Sequence, residues 1–83
     1  MNIIYVDNNA TTSVDQAVLE AMLPFYTENY GNPSSMHAFG GNVARSVQSA
    51  REQVAALINA SPEEIIFTSC GTESDSTAIW ATI

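Results

Sequence analysis

Hydrophobic and polar positions in the first part of the chain predict a short strand followed by a helix. Residues 3–6 are β-branched or aromatic and lead into a turn-forming cluster of one aspartate and two asparagines. From Val14 onward, apolar residues recur at the spacing of an amphipathic helix, which Ser13 or Thr12 can cap. Because Pro24 has no backbone donor, we expect a kink or a break there.

The middle of the chain predicts a second helix with a single apolar stripe. This helix begins between Met36 and Asn42 and ends at residues 59–60. Residues 61–64 (SPEE) follow it, with a serine before a proline and two acids. That order is typical of a capped single turn.

The last part of the chain predicts a buried strand and a third helix. Residues 65–68 (IIFT) form a largely apolar run, which is typical of a strand covered on both faces. Residues 70–72 turn the chain, and residues 73–83 have a helical pattern. The order strand, helix, helix, strand, helix favours an α/β fold. A buried strand needs neighbours and the last helix has no glycine stop, so we expect the fold to continue beyond residue 83.

Composition restricts the chemistry that these residues can perform. Nine acidic and two basic residues give a net charge of −7, which argues against binding to nucleic acid or to a membrane surface. The basic residues are Arg45 and Arg51, and the absence of lysine excludes both a Schiff-base enzyme and a Walker-type phosphate loop. The single cysteine excludes an intramolecular disulfide, the pattern of residues 1–10 does not predict a signal peptide, and no apolar stretch reaches the length of a membrane-spanning helix. The chain is therefore predicted to be cytoplasmic.

The strongest candidate for a binding site is the segment 67–74 (FTSCGTES), where a predicted strand turns into a helix. Free amides and the dipole at a helix start attract an anion, Thr72 adds a hydroxyl donor, and Gly71 leaves room for a ligand. The alternative is that the serine and threonine residues only cap the helix, and the pattern alone favours it. Glu73 likewise fits a residue that complements the helix dipole better than a catalytic acid.

Two other polar segments, residues 5–12 (YVDNNATT) and 31–37 (GNPSSMH), could line a site, because functional residues concentrate on loops. The first of them also fits a turn followed by a helix cap, which needs the same residue types, and the pattern alone favours that interpretation. His37 is the only histidine, so an ordinary hydrogen-bonding role is expected rather than a metal cluster. Cys70 precedes a helix, where a thiol can be acidified, but a small buried residue is the commoner case.

Together and in this order, the segments 5–12, 31–37 and 67–75 (FTSCGTESD) resemble the cysteine desulfurases. The resemblance extends over the full length of the chain. The first and third segments resemble the nitrogen-fixation NifS branch more than the housekeeping branch.

This resemblance implies a homodimeric fold-type I enzyme, with a mainly parallel sheet flanked by helices and with pyridoxal 5'-phosphate (PLP) as cofactor. Such enzymes convert L-cysteine to alanine, leave a persulfide on an enzyme cysteine, and pass the sulfur to an iron–sulfur scaffold protein, in this branch for nitrogenase. Gly71 and Thr72 match residues that hold the PLP phosphate. The family's Schiff-base lysine, ring-stacking histidine, pyridine aspartate and persulfide cysteine match nothing here, so these residues alone are expected to be inactive.

The resemblance also implies a division of the chain and leaves some roles open. Residues 1–13 are interpreted as an entrance strand and loop packing with a carboxy-terminal small domain, and residues 14–83 as the beginning of the large PLP-binding domain. The resemblance implies that the opening loop with Asn8, Ala10 and Thr11 lies near the active-site entrance, and that Asn32 and His37 lie near that entrance or near the subunit interface. The individual roles of Asn8, Asn32 and His37 stay open. The alternatives are a selenocysteine lyase or class V aminotransferase, or a stand-alone small phosphate-binding or interaction module.

Overall fold

The computed structural model describes residues 2–83 and contains four α-helices. These are α1 (Gln16–Met22), α2 (Pro24–Thr27), α3 (Ala38–Leu57) and α4 (Gly71–Thr82), and a 3-10 turn at Pro62–Glu64 lies between the last two. The chain forms two compact units, which divide between residues 43 and 44. Met1, the first residue of the predicted entrance segment, lies outside the described residues. No helix within residues 2–83 is long and apolar enough to cross a membrane.

The first predicted helix is broken at the expected place but capped by a different residue. Pro24 begins α2, and only Leu23 separates it from the end of α1. The cap of α1 is Asp15, whose Oδ1 accepts a hydrogen bond from the N–H of Ala17 at 2.8 Å. The prediction of a cap at residue 12 or 13 was therefore wrong. A capping side chain must immediately precede the first helical residue, and α1 begins later than the apolar pattern does.

The start of α3 is built by His37 and two glycines. The Nδ1 atom of His37 accepts a hydrogen bond from the N–H of Gly40 at 3.1 Å, and its carbonyl accepts one from the N–H of Gly41 at 3.0 Å. The ring of Tyr30 meets that of Phe39 edge to face, with centroids 5.1 Å apart. The predicted start between residues 36 and 42 is confirmed, and the histidine acts as a helix cap.

The connection from α3 to the 3-10 turn also follows the sequence pattern. Asn59 takes a left-handed conformation with φ 57°, which asparagine tolerates better than most residues. A capping box then closes the turn: the carboxylate of Glu64 accepts from the N–H of Ser61 at 2.8 Å, and the N–H of Glu64 donates to the Ser61 carbonyl at 3.0 Å. The predicted capped turn is confirmed.

The two predicted strands are not formed, so the described residues are helical and do not contain the sheet of an α/β fold. Residues 3–6 and 65–68 have no strand assignment, although Ile65 keeps an extended backbone with φ −99° and ψ 124°. A strand exists only when another strand accepts and donates its hydrogen bonds. Neither segment has such a partner within residues 2–83. The apolar runs therefore remain extended segments.

The hydrophobic core of the described residues is small. Val43 and Ala55 are the hydrophobic residues that are buried. Large side chains such as Ile4 and Trp80 are exposed over 88% and 76% of their surface. Hydrophobic stabilisation is proportional to the apolar area removed from water, so these residues gain little of it within the described chain.

Candidate functional site

The start of α4 leaves several backbone donors free to meet a ligand. Cys70 is the residue before the helix and has an extended backbone, with φ −168° and ψ 171°. The first bond within the helix runs from the N–H of Ser74 to the Cys70 carbonyl at 3.0 Å. The N–H groups of residues 71–73 consequently have no acceptor in the helix. A Cβ added to Gly71 would meet nothing within 4 Å, so the space beside this turn is open.

Glu73 is bound back to the residue that enters the turn. Its Oε2 atom accepts from the N–H of Ser69 at 3.2 Å and also from the Ser69 hydroxyl. The hydroxyl and then the N–H of Ser69 lower the pKa of the Glu73 carboxyl, so the ionised form is favoured. This arrangement supports the interpretation of Glu73 as a first-turn residue that complements the helix dipole.

A pair of hydroxyls also ties the extended segment 65–68 to α4. The Thr68 hydroxyl lies within hydrogen-bond distance of the Ser74 hydroxyl and donates to the Cys70 carbonyl at 3.2 Å. Two short side chains therefore bridge the turn from both sides. The position of the free amides of α4 is fixed relative to the end of the segment 65–68.

The Cys70 thiol is exposed within the described residues, so the expectation of a small buried residue at this position was wrong. The pKa of this thiol is lowered, first by the N–H of Glu73 and then by the Ser69 hydroxyl, with a further contribution from the N–H of Thr72. The N–H groups at the start of α4 thus stabilise a negative charge placed beside them. Together with the open space beside Gly71, this property fits a phosphate group.

The other two predicted segments lie in the first unit and form local hydrogen bonds of their own. The Tyr5 hydroxyl donates to the Asp7 carbonyl at 2.9 Å and is 2.6 Å from the Thr11 hydroxyl. The side-chain oxygen of Asn32 accepts from the N–H of Ser34 at 2.9 Å, as in a polar turn. Within residues 2–83, no three His, Cys, Asp or Glu side chains are grouped to hold a metal.

Sequence reasoning missed one residue that shapes the second unit, Arg51 of α3. Its Nη1 atom donates a hydrogen bond to the carbonyl of Ile65, and its guanidinium lies 4.9 Å from the centroid of the Phe67 ring. The same side chain lines a cavity of about 260 Å³ with Gln48, Pro62, Glu63 and Ile65. The only sequence signal for this role is that Arg51 is one of two cations in the chain and lies off the apolar stripe of α3.

Comparison with known families identifies the family. Residues 4–82 match the family described as aminotransferase class-V. The chain belongs to this family. As an aminotransferase class-V chain, it is 60% identical over its whole length to a cysteine desulfurase of Trichormus azollae, of which it covers 21%. It is 58% identical over 92% of its length to the cysteine desulfurase NifS of Azotobacter vinelandii, of which it covers 19%.

A solved structure also resembles this class-V chain. A NifS-like protein matches 81% of the chain with a TM-score of 0.78 and 55% sequence identity. The match covers 18% of that protein. The chain thus spans about a fifth of the length of the relatives that it matches.

Proposed function

We propose that these residues serve a cysteine desulfurase, which removes sulfur from L-cysteine to give alanine and a persulfide on an enzyme cysteine. The observation that carries the proposal is the high identity to named cysteine desulfurases along the whole chain. The similarity runs through the turn that precedes α4 rather than through isolated helices, since it spans all 83 residues.

The role of these residues in the enzyme is to hold and orient the phosphate of PLP. The N–H groups of Gly71 and Thr72, which have no acceptor within α4, would bind phosphate oxygens, and the Thr72 hydroxyl would add a further donor. When bound, PLP supplies an electron sink for cleavage of the cysteine carbon–sulfur bond. The sequence contains no lysine, so in the proposed enzyme the covalent anchor of PLP lies outside these 83 residues.

The finer parts of the proposal concern where the sulfur goes. We place this protein in the nitrogen-fixation branch, as a cytoplasmic homodimer that delivers sulfur to an iron–sulfur scaffold protein for nitrogenase. The identity to the Azotobacter vinelandii NifS supports this branch. The net charge of −7 is consistent with a protein partner rather than nucleic acid.

A chimaeric enzyme tests the proposal. In this chimaera the present chain replaces the matching segment of the Azotobacter vinelandii cysteine desulfurase NifS. We expect the purified chimaera to bind PLP and to form alanine from L-cysteine, with the unmodified Azotobacter enzyme as the positive control. A folded, PLP-loaded chimaera that releases no alanine from L-cysteine would contradict the proposal. Activity confined to selenocysteine, or to amino-group transfer, would support the corresponding alternative enzyme instead.

A further inference from the structure

One side chain, Arg51, holds two points of the extended segment that leads to the phosphate-binding turn. Its guanidinium donates to the carbonyl of Ile65 and lies over the ring of Phe67, two residues further along. Arginine suits both contacts, because its planar group donates hydrogen bonds in its plane and stacks on an aromatic ring through its face. The side chain is partly buried, which limits the competition from water.

This double contact joins the segment 65–68 to α3 within the described residues, first at the Ile65 carbonyl and again at the Phe67 ring. The next residue, Thr68, bonds to the Cys70 carbonyl and the Ser74 hydroxyl, and so joins the segment to α4. A continuous series of contacts therefore runs from α3 to the free amides at the start of α4.

We propose that Arg51 is a positioning residue for the phosphate site: it fixes the segment 65–68, and thereby the direction in which the N–H groups of Gly71 and Thr72 point. It acts on the cofactor through these residues and does not contact it. The inference rests on the proposed function, since it assigns Arg51 to the same phosphate site. It predicts an effect on phosphate recognition in particular rather than on cofactor binding in general.

The test uses apo-chimaera reconstituted with PLP or with pyridoxal, which lacks the phosphate. Arg51→Met keeps the apolar stem and removes both contacts, so we expect about tenfold weaker PLP binding with unchanged pyridoxal binding. Arg51→Lys keeps the charge but loses the planar fork, so its PLP affinity should lie between that of the unsubstituted chimaera and that of Arg51→Met. The matched control is Arg45→Met, which removes the same charge from the same helix and leaves the Ile65 carbonyl its donor; its PLP affinity should equal that of the unsubstituted chimaera.

The outcomes separate the inference from the proposed function. If the unsubstituted chimaera folds but binds no PLP, the proposed function fails and the inference fails with it. If that chimaera binds PLP, equal losses for PLP and pyridoxal in Arg51→Met would show a general structural role and overturn the inference alone. Unchanged PLP binding would overturn it as well.

A second variant keeps the test decisive if Arg51→Met does not fold. Phe67→Leu removes the aromatic face under the guanidinium and keeps an apolar side chain in its place. We expect about a threefold loss of PLP affinity, in line with an exposed cation–π contact, and no loss for pyridoxal. PLP affinities equal to the unsubstituted value in both Phe67→Leu and Arg51→Lys would refute the positioning role.

Discussion

Adding one methyl group to Gly40 should loosen the start of α3. A Cβ at this position would lie 2.8 Å from the Ser35 Cβ and 3.1 Å from the Ser35 carbonyl oxygen, and closer still to the carbonyl of Asn32. Carbon atoms in normal contact are about 3.5–4.0 Å apart, so the backbone of residues 32–35 must move. Gly40→Ala therefore separates α3 from the turn that precedes it.

The magnitude follows from two opposing effects. Overpacking of this kind costs about 1–3 kcal/mol, while alanine gains about 1 kcal/mol over glycine inside a helix. The cost is larger because two of the three atoms that obstruct the methyl group, the carbonyl oxygens of Asn32 and Ser35, belong to the backbone. We expect the free energy of local opening to fall by about 1 kcal/mol. The population of the opened state then rises about fivefold.

Hydrogen exchange measured by mass spectrometry in the chimaera checks this prediction. Peptides covering residues 30–43 should exchange about fivefold faster in Gly40→Ala. In the chimaera without PLP, Gly71→Ala is the matched control, because it adds the same methyl group at a helical glycine with nothing within 4 Å in the described residues. Its α4 peptides should not exchange faster. If Gly40→Ala exchanges no faster than the unsubstituted chimaera, the argument from close packing is wrong.

Three further predictions concern the caps and the acidified groups. His37→Ala should speed hydrogen exchange of the Gly40 N–H by removing its acceptor, at a cost of about 1 kcal/mol, and His37→Asn should restore the protection. Equal exchange rates in the unsubstituted chain and both variants would contradict the cap. Ser69→Ala should raise the pKa of the Cys70 thiol and slow its alkylation by iodoacetamide at neutral pH, and an unchanged rate profile would count against the contact. The pKa of Glu73 is lowered in the folded chain, so its contact with Ser69 stabilises α4 above the ordinary carboxyl pKa and is lost as pH falls through the lowered value. An NMR titration that finds an ordinary pKa for Glu73 would exclude this linkage.

Local features of this chain were predictable from the sequence, because their causes lie within a few residues. The break at Pro24 follows from its missing donor, and the turn at Pro62–Glu64 follows from a capping box four residues long. The start of the last helix was located to within two residues, since α4 begins at Gly71 and its pattern indicated residue 73.

Features that depend on distant residues were not predictable in the same way. The segment 65–68 has the composition of a strand, but pairing requires a second segment that local pattern does not specify. The contacts of Arg51 join it to residues 14 and 16 positions further along the chain, so no local spacing marks them. The cap at Asp15 was missed for a simpler reason: several neighbouring polar residues can cap a helix, and only the backbone decides which one does.

The unpaired extended segments have a practical consequence for this chain in solution. Ile3, Ile4 and Val6 are each more than four-fifths exposed, and their backbone has no ladder partner in the described chain. Such a segment can pair with the same segment of another molecule, which is the first step of aggregation. Seven net negative charges oppose that encounter at neutral pH. Acid neutralises the carboxylates and removes the repulsion, so the same open edges become contact points between molecules as the solution is acidified.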